Sequence, residues 1–103
     1  MIVEILYFDG CPSYQRLLPT VQRHAERGGA ELLPRRVETP EEAERERFLG
    51  SPTVRVDGRD IDPSASERTD YGLKCRLYRS PGPAPSPIPP EEWIRAALEA
   101  GRG

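Results

Sequence analysis

Two cysteines, Cys11 and Cys75, are the side chains in this sequence with the greatest capacity for chemistry. A thiolate attacks disulfides, is oxidised by peroxides and binds soft metals. Their spacing matches no zinc-binding pattern, and His24 is the only histidine. The pair therefore favours thiol chemistry, or inert thiols, over a zinc site.

Cys11 stands between Gly10 and Pro12, where an apolar stretch over residues 2–8 stops and a helix is predicted to start. The unpaired amides and the positive dipole end of a helix N-terminus stabilise a thiolate relative to a thiol. Gly10 permits a sharp turn, and Pro12 suits the first helical position. We therefore expect an exposed, reactive sulfur at Cys11, with a small buried apolar side chain as the alternative.

The elements that must position Cys11 alternate between strands and helices. Short apolar runs indicate the strands, and apolar stripes with capping residues indicate the helices. Pro34 places the second strand at a sheet edge or a bulge. The predicted elements are a strand over 2–8, a helix from Pro12 to Gly28-Gly29, a strand over 30–37, a helix from Pro40 to about Leu49, a hairpin turning at Asp57-Gly58, and a helix from Pro90 to Gly101.

The register of the predicted hairpin follows from its turn. Asp-Gly between alternating residues is a strong signal for a two-residue turn. With that turn, Val54 faces Ile61 and Arg55 faces Asp60, which pairs an apolar couple on one face and opposite charges on the other.

The stretch over 62–90 has no regular pattern overall. Alternation over 71–77 suggests a short extended piece with Cys75 on its apolar face, where the cysteine is either buried or a functional thiol. Its flanking Lys74 and Arg76 are interpreted as solvated charges, with stabilisation of a Cys75 thiolate as the alternative. Residues 81–90 contain six prolines and predict a stiff connector before the last helix.

This order, β-α-β-α-β-β-α, is similar to the thioredoxin fold. Cys11-Pro12-Ser13-Tyr14 resembles a C-x-x-C redox motif whose second cysteine has become tyrosine, and Ser51-Pro52-Thr53 resembles the family's cis-proline motif. Pro19 resembles the proline that many members carry in the first helix, and FDGCP resembles a small branch of thioredoxin-like proteins. The resemblance implies one domain over 1–103: an α/β sandwich with a mixed sheet and a long loop insertion at 62–90.

The resemblance also implies a function and site residues. Cys11 would be the nucleophile in thiol–disulfide exchange or thiol oxidation, which leans towards a thiol–disulfide oxidoreductase. Pro52 would sit against Cys11, and the residue before it would offer main-chain pairing to a bound peptide or thiol. The residues implied to contact substrate are Pro12, Tyr14, Ser51 and Thr53.

Because Tyr14 stands where the C-x-x-C motif has its second cysteine, three outcomes are open. Cys11 could form mixed disulfides with a small thiol such as glutathione, it could use Cys75 as a distant resolving thiol, or redox chemistry could be lost. Two further hypotheses stand beside these. One is a non-catalytic thioredoxin-fold binding module, and the other is a soft-metal or organomercurial binder that uses both sulfurs.

Composition narrows the partners. The net charge is −2, so no basic field points to nucleic acid or to anionic lipid. No apolar run is long enough to span a bilayer, and no signal peptide is evident, so a cytoplasmic location is expected. The expected partners are protein or small-molecule thiols and disulfides, with glutathione as a candidate co-substrate and no resident cofactor or metal.

Overall fold

A computed structural model of the chain describes residues 1–79 and 84–102. Its elements occur in the predicted order and confirm the α/β class. They are β1 (Ile2–Tyr7), α1 (Pro12–Gly28), β2 (Glu31–Arg36), α2 (Pro40–Arg45), β3 (Thr53–Val56), β4 (Arg59–Asp60), a one-turn 3-10 helix (Ala65–Glu67) and α3 (Glu91–Arg102). Part of the predicted connector, residues 81–83, lies outside the described residues.

The four strands form one mixed sheet in the order β2-β1-β3-β4. β1 runs parallel to β2 and antiparallel to β3, and β3 runs antiparallel to β4. β2 therefore lies at an edge, as Pro34 predicts, because proline cannot donate to a second ladder. The mixed sheet confirms that part of the expected architecture.

The hairpin between β3 and β4 has the predicted register. Asp57 and Gly58 both have positive φ angles, 49° and 83°, as a type I′ turn requires. Arg55 pairs with Asp60, and the Ile61 amide donates to the Val54 carbonyl over 3.1 Å.

Helices cover both faces of the sheet. On one face, α1 and α3 pack against alternate residues of β1 and against β3, and on the other α2 packs beneath Leu6. The predicted stripe of α1 provides Leu17, Val21 and Ala25 to the first core, and Gly29 ends that helix with a left-handed φ of 67°. The second core is smaller and consists of Leu6, Val37, Ala43 and Phe48.

Two predicted helix ends were wrong. α2 ends at Arg45, not near Leu49, because Arg47 adopts a left-handed φ of 54° and the Phe48 amide turns back to the Ala43 carbonyl at 2.8 Å. α3 continues through Gly101. A Cβ at Gly101 would lie 2.8 Å from the Met1 sulfur, so this glycine permits close packing and does not end the helix.

A polar contact joins α1 to α3. Glu91 Oε1 lies 2.7 Å from His24 Nε2 and 2.8 Å from Arg23 Nη2. Hydrogen bonds from His24 and then Arg23 hold the pKa of Glu91 below its ordinary value. Such a group adds stability above its unfolded pKa and loses it as the pH falls through the folded pKa.

Glu91→Gln is therefore expected to reduce stability at neutral pH, with the difference from the unsubstituted protein narrowing in acid. Urea unfolding midpoints at several pH values measure this. Glu99→Gln is the control, since Glu99 pairs with Arg95 along the exposed surface of α3. If Glu91→Gln loses the same stability at neutral and at acid pH, the ionised Glu91 carboxylate is not the source of the stabilisation.

Candidate functional site

Cys11 is the N-cap residue of α1. It has an extended backbone, follows a left-handed Gly10 with φ of 82°, and precedes Pro12 at the start of the helix. Its side chain makes no hydrogen bond to the first turn. The residue is only 3% exposed, so the prediction of an exposed sulfur was wrong. Cysteine buries as readily as a small apolar residue, and here burial accompanies the helix-end position.

Tyr14, where the resembled motif has its second cysteine, packs against β1. Its ring stacks on Tyr7 with centroids 3.8 Å apart and planes 2° from parallel. Burial and then the neighbouring Tyr7 raise the pKa of Tyr14, so its phenol stays neutral. The first turn of α1 is thereby attached to the end of β1, close in sequence to Cys11.

The loop from Gly50 to Thr53 leads into β3. Its Ser51–Pro52 peptide bond is cis, as the resemblance implies. The Thr53 hydroxyl donates to the Gly50 carbonyl at 2.6 Å. Leu6 pairs with Thr53 across antiparallel strands, so the end of β1 and the start of β3 lie at the same end of the sheet. Cys11 follows β1 there and Pro52 precedes β3 there, so the fold brings the two motifs to one end.

Residues 72–78, which we call the strap, lie along the chain that enters β3. The Gly72 amide donates to the Phe48 carbonyl at 3.0 Å. The Ser51 amide donates to the Lys74 carbonyl at 2.8 Å, and the Arg76 amide donates to the Ser51 carbonyl at 3.0 Å. Ser51 and Cys75 form a parallel bridge. The strap thus runs beside Phe48–Thr53 like a short added strand.

Arg76 fixes the strap to the sheet. Its side chain is fully buried, so the interpretation of Arg76 as a solvated charge was wrong. Its guanidinium donates to both carboxylate oxygens of Asp60, at 2.6 and 3.0 Å, to Asp62 at 3.4 Å and to the Thr53 hydroxyl at 3.1 Å. Burial opposes the charge, but Tyr78 and the two carboxylates outweigh it and raise the pKa of Arg76.

Tyr78 makes a second attachment at the end of the strap. Its hydroxyl donates to the Pro52 carbonyl at 2.5 Å, and its ring lies under the Arg76 guanidinium at 4.4 Å. Burial raises the pKa of Tyr78, so the phenol remains a donor. The ring also meets Trp93 of α3 edge-on at 6.3 Å. The carbonyl of Pro52 is therefore already paired within the molecule.

Cys75 lies on the outer side of the strap and is exposed, so its interpretation as a buried residue was wrong. Leu73 and Leu77 share that side and are 39% and 50% exposed. Arg76 and Tyr78 occupy the buried side instead. The predicted alternation is present, but with the opposite face inward.

A cleft of about 320 Å³ opens beside Cys75. Arg68 and Lys74 line it, and both pair with Asp70, whose pKa they hold well below its ordinary value. Arg79 also lines it and has no ion-pair partner among the described residues. The two cysteines are both free thiols, Cys11 buried and Cys75 exposed.

Comparison of the chain with protein-family models, with curated proteins and with solved structures finds no match. Within 1–79 and 84–102, no cluster of three or more histidine, cysteine or acidic side chains has metal-binding geometry. The hypothesis of a metal held by two sulfurs stays a prediction. In the same part of the chain, no helix combines the length and the apolar character needed to cross a bilayer.

Sequence reasoning missed the group of Asp60, Asp62, Arg76 and Tyr78 that holds the strap. The only available signal was two carboxylates, one in the second strand of the hairpin and one just after it, with one arginine inside an otherwise alternating stretch. Nothing in that local pattern brings the arginine to those carboxylates. The loop folds back onto β3 and β4, and only this long-range arrangement brings the four residues together.

Proposed function

We propose that the chain is a thioredoxin-like thiol–disulfide exchange protein in which Cys11 is the reacting thiol. The observation that carries the proposal is the position of Cys11 as the N-cap of α1, at the same end of the sheet as the Ser51-Pro52-Thr53 loop. Unpaired first-turn amides and the helix dipole favour a thiolate at that position. The order of strands and helices agrees with that fold family.

The exchange step is a displacement at sulfur. The Cys11 thiolate attacks one sulfur of a disulfide, a new S–S bond forms, and the second sulfur leaves as a thiolate that takes up the proton Cys11 released. Because Tyr14 replaces a nearby second cysteine, the mixed disulfide is resolved by another thiol. A small thiol such as glutathione is the candidate, and Cys75 is the alternative within the chain.

The burial of Cys11 favours a second candidate, a non-catalytic binding module in which the thiol is incidental. The two candidates differ in whether the folded structure accelerates exchange at Cys11. A catalytic site makes the folded thiol faster than an unfolded one, whereas a packing residue is slower when folded.

Incubating Cys75→Ser with glutathione disulfide and following the adduct by mass spectrometry tests this. We expect the mixed disulfide at Cys11 to form faster in the folded protein than in the same protein unfolded in urea. Cys11→Ser combined with Cys75→Ser is the matched control and should gain no adduct. A folded rate below the unfolded rate would reject the proposal and support the binding module.

A further inference from the structure

Beside the candidate site, the main-chain hydrogen-bonding groups that a bound peptide would use are already paired with the strap. Ser51 has one amide and one carbonyl, and both are hydrogen-bonded to the strap, through Lys74 and Arg76. An extended peptide adds to a sheet edge by making these same main-chain bonds. A peptide substrate would therefore have to displace the strap before it could pair with Ser51.

Displacement is opposed by side chains as well as by the main chain. Lifting the strap removes the buried Arg76 from Asp60, Asp62 and Thr53, and removes the Tyr78 hydroxyl from the Pro52 carbonyl. A buried carboxylate left without its cation is strongly unfavourable. An incoming peptide would need to supply an equivalent guanidinium as well as the lost main-chain bonds.

The strap and the segment that enters β3 also lie too close together for a peptide to enter between them. A Cβ at Gly50 would lie 2.9 Å from the Lys74 carbonyl oxygen and 3.0 Å from the Arg76 Cα. Gly50 has a φ of 127°, which side-chain-bearing residues rarely adopt. Cys11, at the same end of the sheet, is 3% exposed, so a reaction partner must be narrow.

From these contacts we propose that the site takes low-molecular-weight disulfides and excludes extended peptides, because the strap occupies the pairing edge of Ser51. The inference rests on the proposed function and assigns its substrate class. The chemistry is the displacement already described: Cys11 bonds to one sulfur of the small disulfide, and the other leaves as the free thiol.

Two probes test the substrate class in Cys75→Ser. One is 2-hydroxyethyl disulfide, and the other is the same 2-mercaptoethanol leaving group on the cysteine of an extended peptide long enough to span Phe48–Thr53. Rates at Cys11 in the folded protein are divided by rates in urea, which removes intrinsic differences between probes. We expect the small probe to be favoured at least about tenfold, equivalent to about 1.4 kcal/mol. Equal normalised rates would overturn the inference.

A glycine pair tests the role of the strap. Gly50→Ala and Gly58→Ala both place a side chain at positive φ, but a Cβ at Gly58 meets nothing within 4 Å. Gly50→Ala should therefore narrow the preference for the small probe and speed hydrogen exchange at the Ser51 and Arg76 amides. Gly58→Ala should change neither. If Gly50→Ala does not fold, Tyr78→Phe loosens the strap more gently by deleting the bond to Pro52.

The outcomes separate this inference from the proposed function. If Cys11 reacts with both probes no faster than in urea, the proposed function fails and this assignment falls with it. Rapid reaction with both probes to the same extent overturns the substrate class alone. Hydrogen exchange needs no thiol chemistry: Ser51 and Arg76 amides that exchange as fast as an open loop in the unsubstituted protein would also overturn the inference.

Discussion

Arg76→Met is expected to lower the free energy of unfolding by about 3–5 kcal/mol, the cost of removing one partner from a buried ion pair. The Arg76 side chain is fully buried, and Asp60 and Asp62 are only 13% and 6% exposed. Methionine would keep most of the apolar stem but remove the guanidinium that hydrogen-bonds both carboxylates. Because a domain is stable by about 5–15 kcal/mol in total, the loss should be obvious in a urea titration.

Arg95→Met is the matched control for Arg76→Met. Arg95 pairs with Glu92 and Glu99 on the surface of α3 and is 49% exposed, so its replacement should change stability by no more than about 0.5 kcal/mol. Adding Asp60→Asn and Asp62→Asn to Arg76→Met should recover part of the loss by removing the unpaired charges. If Arg76→Met costs no more than Arg95→Met, the buried cluster does not hold the strap.

The two thiols are expected to differ at least about 100-fold in their rate of modification by a maleimide carried on polyethylene glycol. Cys75 is exposed, whereas Cys11 is 3% exposed, so a reagent as bulky as this one must wait for local opening before it reaches the sulfur. An opening that costs about 3 kcal/mol or more gives a factor of this size. Single-cysteine proteins, Cys11→Ser and Cys75→Ser, allow the two rates to be measured separately by gel shift.

The same pair of variants in urea provides the control for thiol access. Unfolding should bring the two rates together, because the difference arises from the fold and not from the sequence around each cysteine. Similar rates in the folded state would show that Cys11 is open to bulky reagents. That result would also remove the steric part of the argument for small substrates.

Local sequence features were sufficient to predict the order of the helices and strands and the register of the hairpin. The Asp57-Gly58 dipeptide fixed the hairpin and its register, because both positions need positive φ and the flanking pairs match on each face. Pro34 indicated an edge strand because it lacks an amide hydrogen. Each of these features acts within a few residues, so their effect can be judged without knowing the rest of the chain.

The orientation of the strap could not be predicted in the same way. Alternation over 71–77 gives the period of an extended segment but not which face is buried. The buried face is chosen by Asp60 and Asp62, which attract Arg76 across 16 and 14 positions of the chain. For that reason Arg76 is buried and Cys75 is exposed, the reverse of what apolar character alone suggested.

The burial of Cys11 likewise depends on distant parts of the chain. The Gly10-Cys11-Pro12 context correctly predicted the start of α1, because turn and helix-start preferences are local. The same context says nothing about what packs over a residue at the end of a sheet. The chemical hypothesis for Cys11 is therefore sequence-based, while the limit on its partners comes from the fold.

The outer margins of the sheet affect how the protein behaves at high concentration. Pro34 interrupts the row of amide donors on the outward side of β2, and β4 spans only Arg59–Asp60 at the opposite margin. A neighbouring molecule thus finds little backbone on which to continue the ladder. Concentrated solutions are expected to resist cross-β fibre growth, even though Leu33 beside that proline is 37% exposed.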